Sequence, residues 1–282
     1  MNTPILKYLF ALLLYGTIGS FLRFVEYSSE FVVLCRGLIG SLFIFTVFLF
    51  KKHQINYQAI KRNLIPMVLS GICLGFNWIF LFEGYKYSLA ISSLCNYIAP
   101  IAVVFISALF LKEKLNIKQI LCIVMAFIGM LMITGVFDNS ESVNINAVIN
   151  GTLAALGFIG LVILNKKLTD IEALEKTLIQ LFFSALTVLP YVMLKNGFPT
   201  TFDLRSTLIV ILLGLLHTGV AYICYFGSIN ILPSRTIAIL GYLEPVLNVL
   251  LGFLIFHENM NLMGIIGAII IITSSIANEL LN

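Results

Sequence analysis

The sequence predicts an all-α integral membrane protein with ten transmembrane helices, arranged as two inverted five-helix repeats. Three observations carry this prediction: an excess of apolar residues, ten apolar segments of membrane-spanning length, and a motif that recurs at a fixed offset. Of the 282 residues, 60% are hydrophobic and 11% are charged, whereas an average soluble protein is about 25% charged. A single soluble core could not bury so much apolar surface. The composition therefore excludes a soluble enzyme, a disordered chain and a nucleic-acid-binding module.

Each predicted span is a continuous apolar run of about 20 residues, the length of helix that crosses the hydrocarbon layer of a bilayer. In chain order the runs cover residues 5–23, 31–50, 64–84, 89–111, 117–136, 147–165, 174–194, 206–228, 233–256 and 261–280. The connections between them are short, so no extramembrane domain is expected. The runs do not alternate in polarity, which argues against a β-barrel.

The distribution of basic residues predicts the orientation. With the N-terminus in the cytoplasm, twelve Lys and Arg residues fall on the cytoplasmic side and five on or near the outer side. Positive charge is retained in cytoplasmic loops, so we expect a multi-pass protein of the cytoplasmic membrane with both termini inside. No small-residue cleavage site follows the first apolar run, so we expect a retained helix rather than a removed signal peptide.

A motif in the first half of the chain recurs in the second half at a constant offset of 145 residues. Tyr97, Pro100, Glu113 and Asn116 match Tyr242, Pro245, Glu258 and Asn261. We therefore predict a first repeat at 1–136, an outward-facing linker at 137–146 and a second repeat at 147–282. Because each repeat has an odd number of helices, the second enters the membrane from the opposite side. Inverted repeats of this kind are typical of carriers that open a central site to each side in turn.

With these paired motifs, the chain resembles the EamA-type branch of the drug/metabolite transporter superfamily. Asn77-Trp78, Glu83-Gly84-Tyr85 and Arg36 fit the resemblance, which covers nearly the whole chain. It implies a secondary carrier without an ATPase, whose central cavity is lined chiefly by helices 3, 4, 8 and 9. The absence of a GxxxxGK[ST] loop agrees with this. The resemblance leaves the substrate open among amino acids, nucleosides, cations and other small metabolites.

Glu244 is the clearest charge at depth in a predicted span, one residue before Pro245. A charge at mid-bilayer costs roughly 2.5–3.5 kcal/mol on insertion scales, so it needs a reason. We expect Pro100 and Pro245 to kink or break their helices and to act as hinges. A broken helix at that depth faces protein or a wet cavity. Two interpretations of Glu244 stay open: a proton or cation site, and a carboxylate bonded to a neighbouring helix. Its repeat counterpart is Ala99, so either role is asymmetric.

Three further polar residues are candidates for the substrate site. Glu83, near the outer end of helix 3, is either a substrate contact or part of an interfacial ion pair with Lys86 and with Arg23 or Arg36. Arg36 is expected to snorkel to the outer headgroups, with substrate binding as the other interpretation. His217 can titrate, although a hydrogen-bonded structural histidine is favoured.

The remaining candidates lie on the helices that the repeat relates to one another. Aromatic rings provide apolar walls and cation–π faces, and tyrosines add a hydroxyl group. The expected substrate-binding set is Arg36, Asn77, Trp78, Glu83, Tyr97, His217, Tyr222, Tyr242 and Glu244. Glu113 and Glu258, beyond the apolar stretches, are expected to form capping or gating pairs.

The sequence thus predicts a secondary active transporter of a small polar metabolite, working by alternating access, with proton dependence through Glu244. A carrier-lipid flippase of the same fold is the alternative. No HExxH or GxSxG motif supports an intramembrane enzyme. The expected partners are a small-molecule substrate and the lipid bilayer, without nucleic acid, cofactor or metal, for a monomer or homodimer.

Overall fold

The structure, a computed structural model, describes residues 3–51, 55–110, 112, 116–134, 144–195, 197–257 and 262–281. In these ranges, nine helical segments are at least 18 residues long and apolar enough to cross a bilayer, and the shorter apolar helix Ile117–Ile133 occupies the fifth predicted span. The all-α class and the ten predicted segments are confirmed. Glu113, Glu258, Asn261 and most of the predicted linker lie outside the described residues.

The helices follow the predicted order. In the first half they are α1 (Thr3–Leu22), α2 (Ser29–Lys51), α3 (Tyr57–Tyr85), α4 (Leu89–Asn96), α5 (Ala99–Phe110) and α6 (Ile117–Ile133). In the second half they are α7 (Ile145–Lys166), α8 (Ala173–Leu194), α9 (Leu204–Leu212), a π-helical segment (Leu213–Val220), α10 (Ala221–Ile229), α11 (Ser234–Gly241), α12 (Leu243–Phe256) and α13 (Leu262–Leu280). The fourth predicted span is α4 with α5, the eighth is α9 to α10, and the ninth is α11 with α12.

The third span begins at Tyr57, seven residues before the predicted start at 64. Asn56 caps this earlier start, because its side-chain oxygen accepts a hydrogen bond from the Ala59 amide at 3.0 Å. A cap of this kind satisfies one of the free amides of a first helical turn. The added turns are also held to the α7–α8 connection, since the buried Asn63 amide donates to the Thr169 carbonyl at 2.8 Å.

The fourth and ninth spans are broken where the sequence predicts. Tyr97 is the C-cap of α4 and Tyr242 is the C-cap of α11. Pro100 and Pro245 then fall in the first turns of α5 and α12. Proline is favourable at that position because first-turn amides have no partner within the helix and proline has no amide to leave unpaired.

The packing of the helices follows a two-fold relation between the halves. Helix α3 packs on α7 and α8, and the equivalent eighth span packs on α1 and α2 through α10 and the π-helical segment. Helix α6 packs on its own counterpart, α13. The contact between α3 and α8 is close, since a Cβ at Gly71 would lie 2.6 Å from the Gln180 carbonyl oxygen. The two halves therefore share extensive helix–helix contacts and do not form separate domains.

The two ends of the bundle differ in charge. One end, called the basic end below, carries Lys61, Arg62, Lys166, Lys167 and Arg235 near the start of α3, the end of α7 and the start of α11. The opposite end carries Glu30, Glu83, Lys86, Lys195 and Arg205. That the basic end faces the cytoplasm stays a prediction from the positive-inside rule.

Candidate functional site

Glu244 lies in the first turn of α12, immediately beyond the break at Tyr242. Its side chain is partly buried, and it interacts electrostatically with Arg36. Within the described part of the chain, its carboxylate makes no hydrogen bond and no direct ion pair. The interpretation of Glu244 as a carboxylate locked onto a neighbouring helix therefore gains no support from the described contacts.

Arg36 lies inside the bundle, not at the headgroups. The residue is 7% exposed. Its Nε donates to the Thr218 hydroxyl at 3.1 Å, and its guanidinium carbon lies 5.9 Å from the centroid of the Trp78 ring. The expectation that Arg36 snorkels outward is wrong. Its guanidinium is stabilised within the protein by the Thr218 hydroxyl, by the face of the Trp78 ring and by the charge of Glu244.

The partner of Arg36 is positioned by the π-helical segment. The Thr218 hydroxyl donates to the Leu213 carbonyl, five residues earlier, at 3.0 Å, and it accepts from Arg36. The hydroxyl is therefore used within the protein both as a hydrogen-bond donor and as an acceptor. Short π-helical segments are rare and are frequent at functional sites. The segment interrupts the eighth span beside Arg36.

His217, in the same segment, is hydrogen-bonded as the sequence predicts. Its Nε2 lies 2.8 Å from the Thr17 hydroxyl on α1. The edge of the ring meets Phe21, with ring centroids 5.2 Å apart. Its Nδ1 is buried and has no hydrogen-bond partner. His217 therefore joins α1 to the eighth span next to Arg36.

Three tyrosines form an aromatic cluster around the two charges. The Tyr15 ring centroid lies 5.4 Å from that of Tyr222 and 5.9 Å from that of Tyr225. Tyr15 and Tyr222 interact electrostatically with both Arg36 and Glu244, and Tyr225 interacts with Glu244. The buried hydroxyls of Tyr15 and Tyr225 have no hydrogen-bond partner. The name central site is used below for Arg36, Glu244, Thr218, Trp78 and these three tyrosines.

Tyr97 and Tyr242, the repeat-related tyrosines, meet where the two broken spans cross. The Tyr242 hydroxyl donates to the Tyr97 carbonyl at 2.9 Å, and the ring centroids are 6.5 Å apart. Tyr242 is fully buried, whereas Tyr97 is partly exposed and interacts electrostatically with Glu244. The structure therefore brings Tyr97 to the edge of the central site and uses Tyr242 to join the two breaks.

Asn77 lies at a junction of three helices. Its amide donates to the Asn96 side-chain oxygen at 3.1 Å and to the Ala154 carbonyl at 2.8 Å. The side chain is buried, and its two N–H groups are both used within the protein. Asn77 thereby fixes the end of α4 against α3 and α7. The geometry gives it a positioning contact, separate from the central site.

Glu83 belongs to a network of charges at the end opposite the basic end. It accepts a hydrogen bond from the Tyr191 hydroxyl and lies 3.2 Å from Lys86 and 3.3 Å from Lys195. Lys86 also pairs with Glu30. Burial opposes the charge of Lys86, but these hydrogen bonds to Glu30 and Glu83 outweigh it and raise the Lys86 pKa.

This outer network joins α2, α3 and α8. The predicted ion pair of Glu83 with Lys86 is present, and a substrate contact of Glu83 stays a prediction. Arg36 as its partner is wrong, since Arg36 is bound to Thr218. A narrow cleft beside this network is lined by Glu30, Tyr191, Phe82 and Trp78.

Sequence reasoning missed Tyr15, Tyr225 and Thr218, because it took candidates only from repeat-related or charged positions. One signal was available: Tyr222 and Tyr225 stand three residues apart, and Tyr8 and Tyr15 seven apart, so each pair lies on one face of its helix. The pairing of Thr218 with Arg36 has no local signal, because the two residues are 182 positions apart in the chain.

The central site is charged, polar and aromatic in composition. It combines one cation, one anion, hydroxyl groups without partners, and aromatic walls, which is the composition of small-molecule sites with a few convergent polar groups. In the described residues, no group of three or more His, Cys, Asp or Glu side chains is arranged to hold a metal ion.

Comparison with known proteins gives a family match in each half of the chain. The model of the EamA-like transporter family matches residues 2–135 and 145–278. The uncharacterized transporter YxxF of Bacillus subtilis is 25% identical over 253 residues, which cover 89% of this chain and 81% of YxxF. Protein RarD of Salmonella typhimurium is 23% identical over 265 residues, covering 90% of this chain and 86% of RarD.

A solved crystal structure has the same fold. It superposes with a TM-score of 0.82 and covers 99% of this chain and 98% of its own, at 17% sequence identity. At this identity the similarity concerns the fold alone. The two family matches coincide with the two halves that pack as equivalents.

Proposed function

This chain belongs to the EamA-like transporter family, and we propose that it is a secondary active transporter that moves a small polar metabolite across the cytoplasmic membrane. The central site is the observation that carries the proposal. An arginine within one membrane-spanning helix and a glutamate at the break of another, without a direct ion pair between them, are costly unless they serve a solute. Broken helices at membrane depth are the usual binding elements of inverted-repeat carriers.

Alternating access follows from the same elements. Each broken span can pivot at its break, where Tyr97 and Tyr242 join the two spans. Such a movement would expose the central site first at one end of the bundle and then at the other. The basic end would face the cytoplasm in this arrangement, with both termini inside.

Proton coupling is assigned to Glu244. A carboxylate at membrane depth that has no fixed partner can gain and lose a proton within a transport cycle, as acidic residues do in many carriers. His217, Tyr15 and Tyr222 also interact electrostatically with Arg36, but tyrosines ordinarily stay neutral near pH 7 and the Nε2 of His217 is hydrogen-bonded to Thr17. Glu244 is therefore the group through which a proton gradient would drive transport.

The test is solute movement into proteoliposomes with purified protein. Radiolabelled amino acids, nucleosides and amines are supplied with a pH gradient imposed in either direction, and a protonophore serves as the control. We expect gradient-driven accumulation of at least one solute, which Glu244→Gln loses and Glu279→Gln keeps. Full gradient-driven accumulation by Glu244→Gln would refute the coupling role. No movement of any solute in the panel would refute the transport proposal.

A further inference from the structure

Tyr8 of α1 is a buried tyrosine whose hydroxyl group reaches another span. The residue is 1% exposed, and its hydroxyl donates to the Ile237 carbonyl of α11 at 3.0 Å. A Cβ at Gly241 would lie 3.7 Å from the same hydroxyl. The hydroxyl therefore lies against the last turn of α11, directly before the break at Tyr242.

The ring of Tyr8 extends the aromatic cluster of the central site towards the basic end. It stacks on the Tyr225 ring of α10, with ring centroids 5.5 Å apart and 30° between the planes. Helix α10 ends at the basic end, where the Asn230 amide donates to the Leu168 carbonyl just beyond α7 at 3.2 Å. Tyr8 also interacts electrostatically with Glu244. Because α11 leads from the basic end to the break, Tyr8 and Tyr225 lie on the basic-end side of Glu244.

The hydrogen bond of Tyr8 joins two groups of helices that pack separately. Helix α1 packs on α10 and α12, and the Ser228 hydroxyl oxygen of α10 lies 3.0 Å from the Pro4 carbonyl oxygen of α1. Helix α11 packs chiefly on α5, with further contacts to α13 and α6. The bond between Tyr8 and Ile237 therefore crosses from one group to the other, next to the break in the ninth span.

This bond can open and close at low cost. It joins two neutral groups, and such a bond contributes little net stability because water replaces the lost partner. A carbonyl oxygen has two acceptor sites, so Ile237 can keep a helical hydrogen bond when Tyr8 leaves. The tyrosine ring is large enough to exclude a solute, while its hydroxyl tolerates water. These properties suit a contact that breaks once in every transport cycle.

We propose that Tyr8 is the gate of the basic end. Its ring covers the central site from that end, and its bond to the Ile237 carbonyl holds this cover closed against α11. The site opens to the basic end when Tyr8 and α11 separate. This inference rests on the proposed transport function and names the residue that controls access from one side.

Cysteine labelling from each side of the membrane tests the proposal without a known solute. Leu243→Cys, in a background without the native cysteines, places a thiol at a partly buried position that packs against the cluster containing Tyr8. The probe is sulfonatoethyl methanethiosulfonate, which does not cross membranes, applied to vesicles of both orientations. Lys167→Cys at the basic end and Thr201→Cys at the opposite end, both at exposed positions, identify the side that is labelled.

The expected result is faster labelling from the basic end, relative to Leu243→Cys alone. Tyr8→Ala should raise that rate roughly tenfold or more, because the ring and the hydroxyl are both lost. Tyr8→Phe keeps the ring and should raise it about fivefold, in line with the loss of one neutral hydrogen bond. Tyr27→Phe is the matched control. Its hydroxyl donates to the Asp203 carbonyl at 2.9 Å near the opposite end, so its loss should leave the rate from the basic end unchanged.

The outcomes separate the gate from the transport proposal. Thermal unfolding in detergent verifies the fold of each variant, and Tyr8→Phe decides the test if Tyr8→Ala does not fold. An unchanged rate from the basic end in a folded Tyr8 variant would overturn the gate, even if the protein transports a solute. An equal rise for Tyr27→Phe would overturn it as well, because general loosening would then explain the labelling. If labelling shifts as expected but no solute moves in proteoliposomes, Tyr8 closes the basic end and the transport proposal is refuted.

Discussion

The two broken spans have the same motif but different surroundings. Helix α11, at the basic end, is buried along most of its length and packs on α5 and α6. Its Ser234 hydroxyl donates to the Ser107 hydroxyl of α5 at 2.7 Å. The equivalent half-helix, α4, packs chiefly on α3 and α7, and its Leu94 packs against the buried cluster that contains Val246 of α12.

This difference indicates which end of the central site is closed. If both halves had the same conformation, α4 would approach α12 as closely as α11 approaches α5. The buried contact at the basic end and the weaker one at the opposite end describe a single state of a pseudo-symmetric molecule. Under the proposed alternating access, and with the basic end in the cytoplasm, we expect this to be the outward-facing state; exchanging the two packings would then give the other state.

The largest effect is expected from a covalent lock on the contact between α11 and α5 at the basic end. Ser107→Cys with Ser234→Cys, in a background without the native cysteines, should form a disulfide because the two hydroxyls already touch. We expect transport in proteoliposomes to fall to background on oxidation and to recover with dithiothreitol.

The control is a pair at the opposite end that is equivalent to Val104 and Ala238, which lie beside the closed contact. The 145-residue repeat relates Ser93 to Ala238 and Val249 to Val104, and Ala238 and Val104 share one buried cluster. Ser93→Cys with Val249→Cys should cross-link only when substrate or a gradient drives turnover. Cross-linking of both pairs in the same resting state, with transport intact, would contradict alternating access.

The next test moves the charge between the halves. Ala99 is the counterpart of Glu244 but is fully buried. Glu244→Ala with Ala99→Glu should therefore leave the central site without its anion and place an unpaired carboxylate in packed surroundings. We expect substrate affinity to fall by about 100-fold, in line with the loss of a buried charged contact. Recovery of binding would mean that the two halves are interchangeable at this position.

Restoring an amide at each break gives a smaller effect. Alanine in place of Pro245 or Pro100 supplies the N–H that a continuous helix needs and removes the clash that opposes it. We expect the transport rate to fall by roughly tenfold for Pro245→Ala and by less for Pro100→Ala, since the Pro245 turn also carries Glu244. Initial rates at saturating solute measure the change, with circular dichroism to confirm folding. Equal losses would show that the breaks act alike despite Glu244.

The smallest effect concerns the bond between the breaks. Tyr242→Phe removes the donor to the Tyr97 carbonyl and should lower stability by about 1 kcal/mol. Tyr97→Phe keeps the bond, because the acceptor belongs to the backbone. Thermal unfolding in detergent compares the two variants. A loss for Tyr97→Phe equal to that for Tyr242→Phe would show that ring hydroxyls in general, rather than this bond, stabilise the crossing.

Most of the fold could be predicted from the sequence because it depends on local signals. Apolar length defines the spans, and Pro100 and Pro245 mark the breaks through backbone chemistry that needs no partner. The start of α3 was misplaced because a polar N-cap and its first turns carry no apolar signal. Glu244 was found for the same local reason, as the clearest charge at depth.

The partners in the central site could not be predicted in the same way. An arginine near the start of a helix, such as Arg36, can point either to the lipid headgroups or to the interior of the bundle. Which of the two it does depends on Thr218 and Trp78, which belong to other spans. The π-helical winding that aims Thr218 has no signature in the residues it contains. Tertiary contacts decided these positions.

The two charges of the central site come from different halves of the chain, and this has a kinetic consequence. Arg36 belongs to the first repeat and Glu244 to the second, so a bridging solute neutralises both while the halves rearrange around it. An empty protein would have to rearrange with Arg36 uncompensated, even when a proton neutralises Glu244, and a buried uncompensated charge is costly in a medium of low dielectric constant. Return of the empty form should then be the slow step of the cycle. Substrate on the far side would accelerate flux, and the protein would work most rapidly as an exchanger.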